Sequence, residues 1–265
     1  MRGGSQAHLV EAEDGCFFVA KFTGNPQGNR TLINEWITGQ LMNQVGICTP
    51  VIRVLRLPEE LHRGGGLFFK AGDERIPVRG TLHLGSQCPV NPEKTAMFDF
   101  LPEKLLPQVV NLADFARAFV LDKWLCQTDK RQAIFVRDPK AAGVLGFRAY
   151  LIDHGMSFAG SQWELVDAPM FGLCMQRGIY LIVDMQNSCE QAVSRIEAIT
   201  EDALHAATEG VPSTWFSPGD DECLANLFVR LQRRKDHLRS LVSRHLEIIT
   251  NSPALNSDMS AHLVH

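Results

Sequence analysis

Apolar positions along this chain switch between two periods. Ala7 to Ala12 alternates, Asp14-Gly15 is a hairpin turn signal, and Cys16 to Phe22 reads as the return strand. On that strand Phe17, Val19 and Lys21 share one face, and Cys16, Phe18, Ala20 and Phe22 share the other. A polar loop with Gly24, Pro26 and Gly28 follows. The period then lengthens, with Leu32, Ile33, Trp36, Ile37, Leu41 and Val45 at three- and four-residue spacings. That spacing predicts an amphipathic helix over 30–45, stopped by Gly46. Val51 to Leu57 predicts another strand, with Phe68-Phe69-Lys70 as its antiparallel partner across Gly64-Gly65-Gly66. Residues 80–92 predict a short strand, then a loop that crosses between two parts of the chain.

The pattern changes in the second half. Segment 93–111 is broken by Pro102 and Pro107 and reads as irregular or short-helical. Leu112 to Cys126 is apolar nearly all round, which predicts a helix buried in a core. Ala133–Val136 and Phe147–Ile152 read as a strand pair around a turn at 138–146. Residues 156–188 look loop-like, and helices are predicted over about 189–209 and about 219–250. The polar tail 251–265 is expected to be disordered.

Composition narrows the classes. A hydrophobic fraction of 45% and a charged fraction of 21% suit a globular chain of 265 residues. A net charge of −4 argues against direct nucleic-acid binding. The exception is a basic run, Arg230, Arg233, Arg234, Lys235, Arg239 and Arg244, which reads as a solvated helix face. The seven cysteines are scattered, none in a CxxC pair, as in a reduced cytosolic protein without a zinc module. Met1 to His8 has no apolar segment of the signal-peptide kind. No apolar run reaches the roughly 18 residues of a membrane span. The expectation is a cytoplasmic protein.

Four residues carry candidate chemistry. Lys21 shares a strand face with two apolar residues, so a buried ammonium there needs a partner; the alternative is an edge-strand lysine with its head in water. Glu35, within the predicted helix, is either that partner or a solvated glutamate. Asp129 follows the apolar helix and Asp153 follows the second strand of the later pair. Carboxylates at the ends of two apolar elements can face one pocket, with one acting as general base and the other holding metal and phosphate. N-cap and turn aspartates are the ordinary alternative.

In order, the quoted parts are Gly3-Gly4-Ser5-Gln6-Ala7-His8-Leu9-Val10, Val19-Ala20-Lys21, Asn34-Glu35-Trp36, Asp122-Lys123-Trp124, Thr128-Asp129-Lys130-Arg131-Gln132-Ala133-Ile134-Phe135 and Ile152-Asp153-His154-Gly155. Their succession resembles the HipA-like kinases, the toxin-type bacterial branch of the protein-kinase fold, and in particular the small stand-alone domains. Neither His-Arg-Asp nor Val-Ala-Ile-Lys occurs, so the chain does not resemble an ordinary eukaryotic-type kinase.

The resemblance covers about residues 1–250. It implies an α+β, two-lobed kinase-like fold: a mostly-β lobe over 1–90 with one helix, and a mostly helical lobe over 91–250. It implies an ATP- and Mg-dependent transfer of phosphate to a serine or threonine of a protein, with an antitoxin-type regulator as a possible partner. By the same likeness Gly3, Gly4, Ser5 and Gln6 would cover the phosphates. Lys21, oriented by Glu35, would bind the phosphates. Asp129 would act on the acceptor hydroxyl, and Asp153 would bind magnesium. Ser5 matches a loop serine whose phosphorylation silences some such toxins.

Three departures stand beside the likeness. The family's asparagine, five residues after the catalytic aspartate, is here Ile134, which has no ligand atom; Gln132 takes that role only if the loop is two residues shorter. The chain begins almost inside the glycine loop, so either its start lies upstream or the nucleotide is held more loosely. His154 stands where Asp-Phe-Gly has an apolar residue. The alternatives are a nucleotide-binding pseudokinase and a kinase of a small-molecule alcohol.

Overall fold

The strand that carries Lys21 is internal to its sheet. In the computed structural model, which describes residues 4–58, 60–61, 66–138 and 146–250, β1 (His8–Glu11) and β2 (Phe17–Lys21) form an antiparallel hairpin with Leu9 opposite Val19. Its turn is the one expected, with Gly15 at φ +75° and the Cys16 N–H donating to Asp14 Oδ1 at 2.9 Å. The other edge of β2 pairs with β6 (Leu82–Gln87), which in turn pairs with β3 (Ile52–Arg56). The sheet order is β1-β2-β6-β3.

One strand expectation is corrected. Phe68 does not pair with β3. It belongs to β4 (Phe68–Ala71), which forms a hairpin with β5 (Glu74–Pro77) through Gly72 at φ +62°. A two-residue turn closes that pair with far less chain entropy than the longer connection back to β3. The short strand expected in 80–92 is present as the six-residue β6, between β2 and β3 in the sheet.

Helix α1 (Arg30–Val45) has the predicted bounds and ends on Gly46 at φ +76°. It is not amphipathic in the expected way, because Thr31 to Gly39 is buried on every side, Asn34 and Glu35 included. Helix α2 (Ala113–Leu125) is buried as predicted and closes on Cys126 in the left-handed region. A second sheet, β7 (Met97–Phe98), β8 (Gln132–Asp138) and β9 (Gly146–Ile152), is antiparallel and sets Gln132 opposite Ile152.

The C-terminal part holds α3 (Ile179–Ile182), α4 (Met185–Glu197), α5 (Glu201–Ala206), α6 (Asp220–Arg234) and α7 (Leu238–Thr250). The helix expected at 189–209 is two helices, because Thr200 caps α5 by accepting the Ala203 N–H. The one expected at 219–250 is broken by a 3₁₀ turn at Lys235–His237.

Strands and helices together make an α+β protein. The larger core joins α1 to α2, α4, α6, β8 and β9, with Trp124 fully buried and its Nε1–H donating to Leu231 O at 3.0 Å. A smaller cluster, Ala20, Phe22, Leu57, Phe69 and Val78, lies under the first sheet. Among the described residues no helix is long and apolar enough to cross a membrane. Gly3, part of the Gly64-Gly65-Gly66 run, most of the 138–146 turn and the 251–265 tail lie outside the described residues.

Candidate functional site

Three elements meet at one ammonium. Lys21, the last residue of β2, projects into the protein, and its Nζ lies 2.5 Å from Glu35 Oε2 on α1 and 2.8 Å from Asp153 Oδ1 just beyond β9. Of the two readings open from sequence, the paired lysine holds, and Glu35, 2% exposed, is its buried partner. Asp153 Oδ2 accepts the Gln132 Nε2–H at 3.1 Å. So Lys21, Glu35, Asp153 and Gln132 form one connected cluster, drawn from positions up to 132 residues apart.

The electrostatics follow from burial opposed by pairing. Burial pulls the Lys21 ammonium down, but Glu35 and Asp153 outweigh it, and the pKa ends above the ordinary lysine range. Burial pushes the Glu35 carboxyl up, and Lys21 only partly opposes this. Asp153 is also penalised by burial, yet Lys21, Arg131 and Gln132 together hold it below the usual carboxylate range. Its side chain is 39% exposed, so this ionised carboxylate is open to solvent.

Asp153 takes a left-handed backbone, φ +61°, which aspartate tolerates better than most residues. The turn after it carries Phe158, Ala159 and Gly160, also at positive φ. Such a run needs holding from outside. Asn34, the neighbour of Glu35 and fully buried, turns its Nδ2 toward Gly155 O, Ser157 O and Gly160 O at 2.9 Å each. Its Oδ1 accepts the Trp163 Nε1–H at 2.7 Å. Gln127 Nε2–H donates to Asp153 O, and Ser157 Oγ–H donates to Gln127 Oε1. Adjacent residues of α1 thus hold Lys21 and the turn beyond Asp153.

Behind the site lies a buried charge relay of fixed polarity. Arg131, 1% exposed, pairs with Asp122 of α2 through both Nε and Nη2 and donates from Nη1 to Ile152 O at 3.1 Å. The same Nη1 lies 2.6 Å from His154 Nδ1. A guanidinium cannot accept, so Nδ1 is the acceptor and the ring proton sits on Nε2, 2.9 Å from Thr49 Oγ1. Thr49 Oγ1–H in turn donates to Leu151 O. The ring is neutral: burial, then Arg131 and Lys21, push its pKa well below the usual histidine value.

Asp129 stands apart from this cluster's contacts. It is exposed, and its Oδ1 accepts the N–H of Lys130 at 2.7 Å. Its position is nevertheless set by the same hairpin. It precedes Gln132 by three residues, and Gln132 pairs with Ile152, which directly precedes Asp153. The loop is tied further by Thr128 N–H and Oγ–H, both donating to Met156 O, and by Gly172 N–H donating to Asp129 O at 3.2 Å. Lys123 Nζ, whose pKa burial lowers to about 8, donates to the carbonyls of Ala168, Pro169 and Phe171 and so fixes the approach to Gly172.

Gly172 has φ +70°, and an added Cβ would lie 2.5 Å from Asp122 Cβ, a side chain already pinned by Arg131. Left-handed strain and overpacking together predict that Gly172→Ala costs about 2–4 kcal/mol. Chemical unfolding should give that loss, and an unchanged midpoint would refute the tight approach.

Gly4 and Ser5 form a turn leading into β1. The Gln6 amide is committed to the backbone of Lys70, donating to its O at 2.7 Å and accepting its N–H at 2.8 Å. What Gln6 retains for a ligand is its backbone. Ile134 is half-buried on β8, on the strand face of Gln132 and without a ligand atom.

Sequence reasoning missed Asn34, Asp122, Gln127, Arg131 and His154 as parts of the site's support. One signal was available, since an acid such as Asp122 inside a helix apolar all round requires a buried cation. No family model matches the chain, and neither does any curated protein. Among the described residues no group of three or more His, Cys, Asp or Glu side chains is placed to hold a metal by itself. Magnesium bound together with a nucleotide needs only one or two protein carboxylates, the phosphates supplying the rest. Ionised, half-open Asp153 with the Gln132 amide beside it fits that smaller requirement.

Proposed function

We propose that the protein is an ATP- and magnesium-dependent phosphotransferase with a two-lobed, protein-kinase-like arrangement, acting on a serine or threonine hydroxyl of a protein. The observation that carries this reading is the double ion pair of Lys21 with Glu35 and Asp153, completed by Gln132 on the second Asp153 oxygen. A lysine held by a helix glutamate, next to an ionised carboxylate that is open to solvent, is the arrangement that phosphoryl transfer uses to fix phosphate charge. Lys21 would bind the phosphates, and the Gly4–Ser5 turn would offer backbone N–H groups to them. Asp153 would hold magnesium, with Gln132 turning its amide oxygen inward; the ion supplies charge neutralisation across the phosphates. Asp129, at the exposed end of the same hairpin, would orient the acceptor hydroxyl and take its proton.

One observation favours a second reading, nucleotide binding without transfer: Ile134 contributes no ligand, which leaves Gln132 as the amide at the Asp153 carboxylate. Incubation with labelled ATP, magnesium and a generic protein acceptor separates the two. Transfer that falls by about 10³-fold or more in Asp129→Ala supports a kinase, since positioning and proton acceptance both go. A nucleotide-dependent rise in melting temperature with no transfer in the unaltered chain supports the second reading. Mass spectrometry of the same incubation shows whether Ser5 takes phosphate.

A further inference from the structure

The basic run on the last helices is only partly a solvated face. Arg239 is neutralised by Glu190 and Glu197, and Arg234 by Asp167. Lys235 donates to Ile199 O and Gln232 Oε1. Arg230, Arg233 and Arg244 are exposed and belong to none of these pairs. All three line one open cavity of about 530 Å³, where α6, the 3₁₀ turn and α7 meet the segment around Leu165 and Asp167. His237 and Ser240 add two more polar side chains to the wall. Two acids also line it, Asp167, held by Arg234, and Asp236. Four arginines against two carboxylates leave the concavity positive in a chain whose net charge is −4.

Beside the cavity lies an unsatisfied polar site. His245 is 4% exposed and its Nδ1 has no hydrogen-bond partner; burial first, and then Lys123, hold its pKa below the usual histidine value.

We propose that this cavity binds a phosphate monoester carried on a peptide, a phosphoserine or phosphothreonine side chain held by Arg230, Arg233 and Arg244. Guanidinium forks match phosphate oxygens two at a time, and converging arginines are the usual means of reading that group. A dianion offsets the surplus of the cavity, whereas a longer polyanion such as a nucleic acid would run toward the exposed acids Asp221 and Glu222 at the other end of α6. Apolar Leu165 and Leu241 line the wall and offer contact to the residues flanking a phosphorylated side chain. The proposal does not depend on the phosphotransferase reading.

The cavity wall also runs into the support of Asp129. Arg234 Nη2–H donates to Lys123 O, and Lys123 clamps the 168–171 carbonyls that lead to Gly172.

Calorimetric titration of the whole chain, without nucleotide, tests the site using a phosphoserine peptide with neutral flanks, its unphosphorylated form, inorganic phosphate and a single-stranded RNA. The phosphopeptide is expected to bind and the unphosphorylated peptide not to. The triple change Arg230→Gln, Arg233→Gln, Arg244→Gln should weaken binding at least about tenfold by loss of charge-assisted hydrogen bonds. Arg239→Gln, outside the cavity, should leave it unchanged. A melting curve like that of the unaltered chain shows that the triple variant is folded, which exposed arginines predict. Equal affinity for free phosphate, tighter binding of RNA, no binding of the phosphopeptide, or indifference to the triple change would each overturn the proposal.

Discussion

Lys21→Met is expected to destabilise the protein by about 3–5 kcal/mol, because it leaves a buried carboxylate without its cation. Glu35 is almost completely enclosed, and Lys21 is its ion-pair partner. Burial already pushes the Glu35 carboxyl up, and without Lys21 nothing comparable opposes it. The variant should answer by taking up a proton. Its folded pKa then lies above the unfolded one, so between the two values the native state binds more protons and stability rises as pH falls. In the unaltered chain Lys21 opposes that rise, and Asp153 contributes a dependence of the opposite sign. Asp153 is held low in the folded state, so its contribution is present above the unfolded carboxylate value and is lost as pH drops through the lower folded one. Melting temperatures between pH 5 and 8 should therefore rise more steeply on acidification in Lys21→Met than in the unaltered chain, whose Asp153 contribution is lost only below about pH 4. A flat profile in Lys21→Met would mean that Glu35 finds another partner. Changing Glu35 to Leu as well should restore most of the stability without restoring nucleotide binding, which separates the structural loss from the functional one.

Local signals in the sequence were reliable where the chemistry is local. Asp14-Gly15 made its hairpin, Gly46 stopped α1, and the apolar run made α2, because turn and cap preferences act within a few residues. The partner of Phe68 was misjudged because strand pairing is decided by competition, and the Gly72 turn offers a nearer partner than β3. Lys21, Glu35 and Asp153 were legible as candidates since each is a charge set among apolar neighbours. Their meeting is a tertiary fact, joining positions 14 and 132 residues apart from Lys21.

Asn34 and His154 were illegible for a different reason. Their role is to satisfy backbone carbonyls and a guanidinium that only the folded turn creates. By the resemblance His154 stands at an apolar position. It is a buried acceptor whose tautomer is dictated by Arg131, so its polarity is used. Gln132 lies against Asp153 with its amide nitrogen inward. Metal ligation would require the amide to present oxygen instead, a simple flip that loses only that hydrogen bond.

Arg131→Met should be as damaging as the loss of Lys21, and for a reason that can be isolated. Asp122 lies fully inside the protein, and Arg131 is its ion-pair partner. Burial pushes the Asp122 carboxyl up, and Arg131 is the main force opposing it. Removing the guanidinium strands that carboxylate and takes the donor from His154 Nδ1, at a cost of about 3–5 kcal/mol. For a chain of this size that is a fall of roughly 10 °C in melting temperature. A second change, Asp122→Leu, removes the stranded charge, and well-packed apolar replacements of buried ion pairs are often neutral. The double variant should therefore recover most of the lost stability. The His154 ring would still lack its donor, and the Asp153 turn would lose the Arg131 contact to Ile152 O. Stability and the geometry at Asp153 should thus part company: melting returns, while nucleotide affinity or transfer stays reduced. A double variant no more stable than Arg131→Met would show that Arg131 acts through His154 and Ile152 rather than through Asp122. Full recovery of both properties would show that the relay supports the core alone and leaves the position of Asp153 to Gln127 and Asn34.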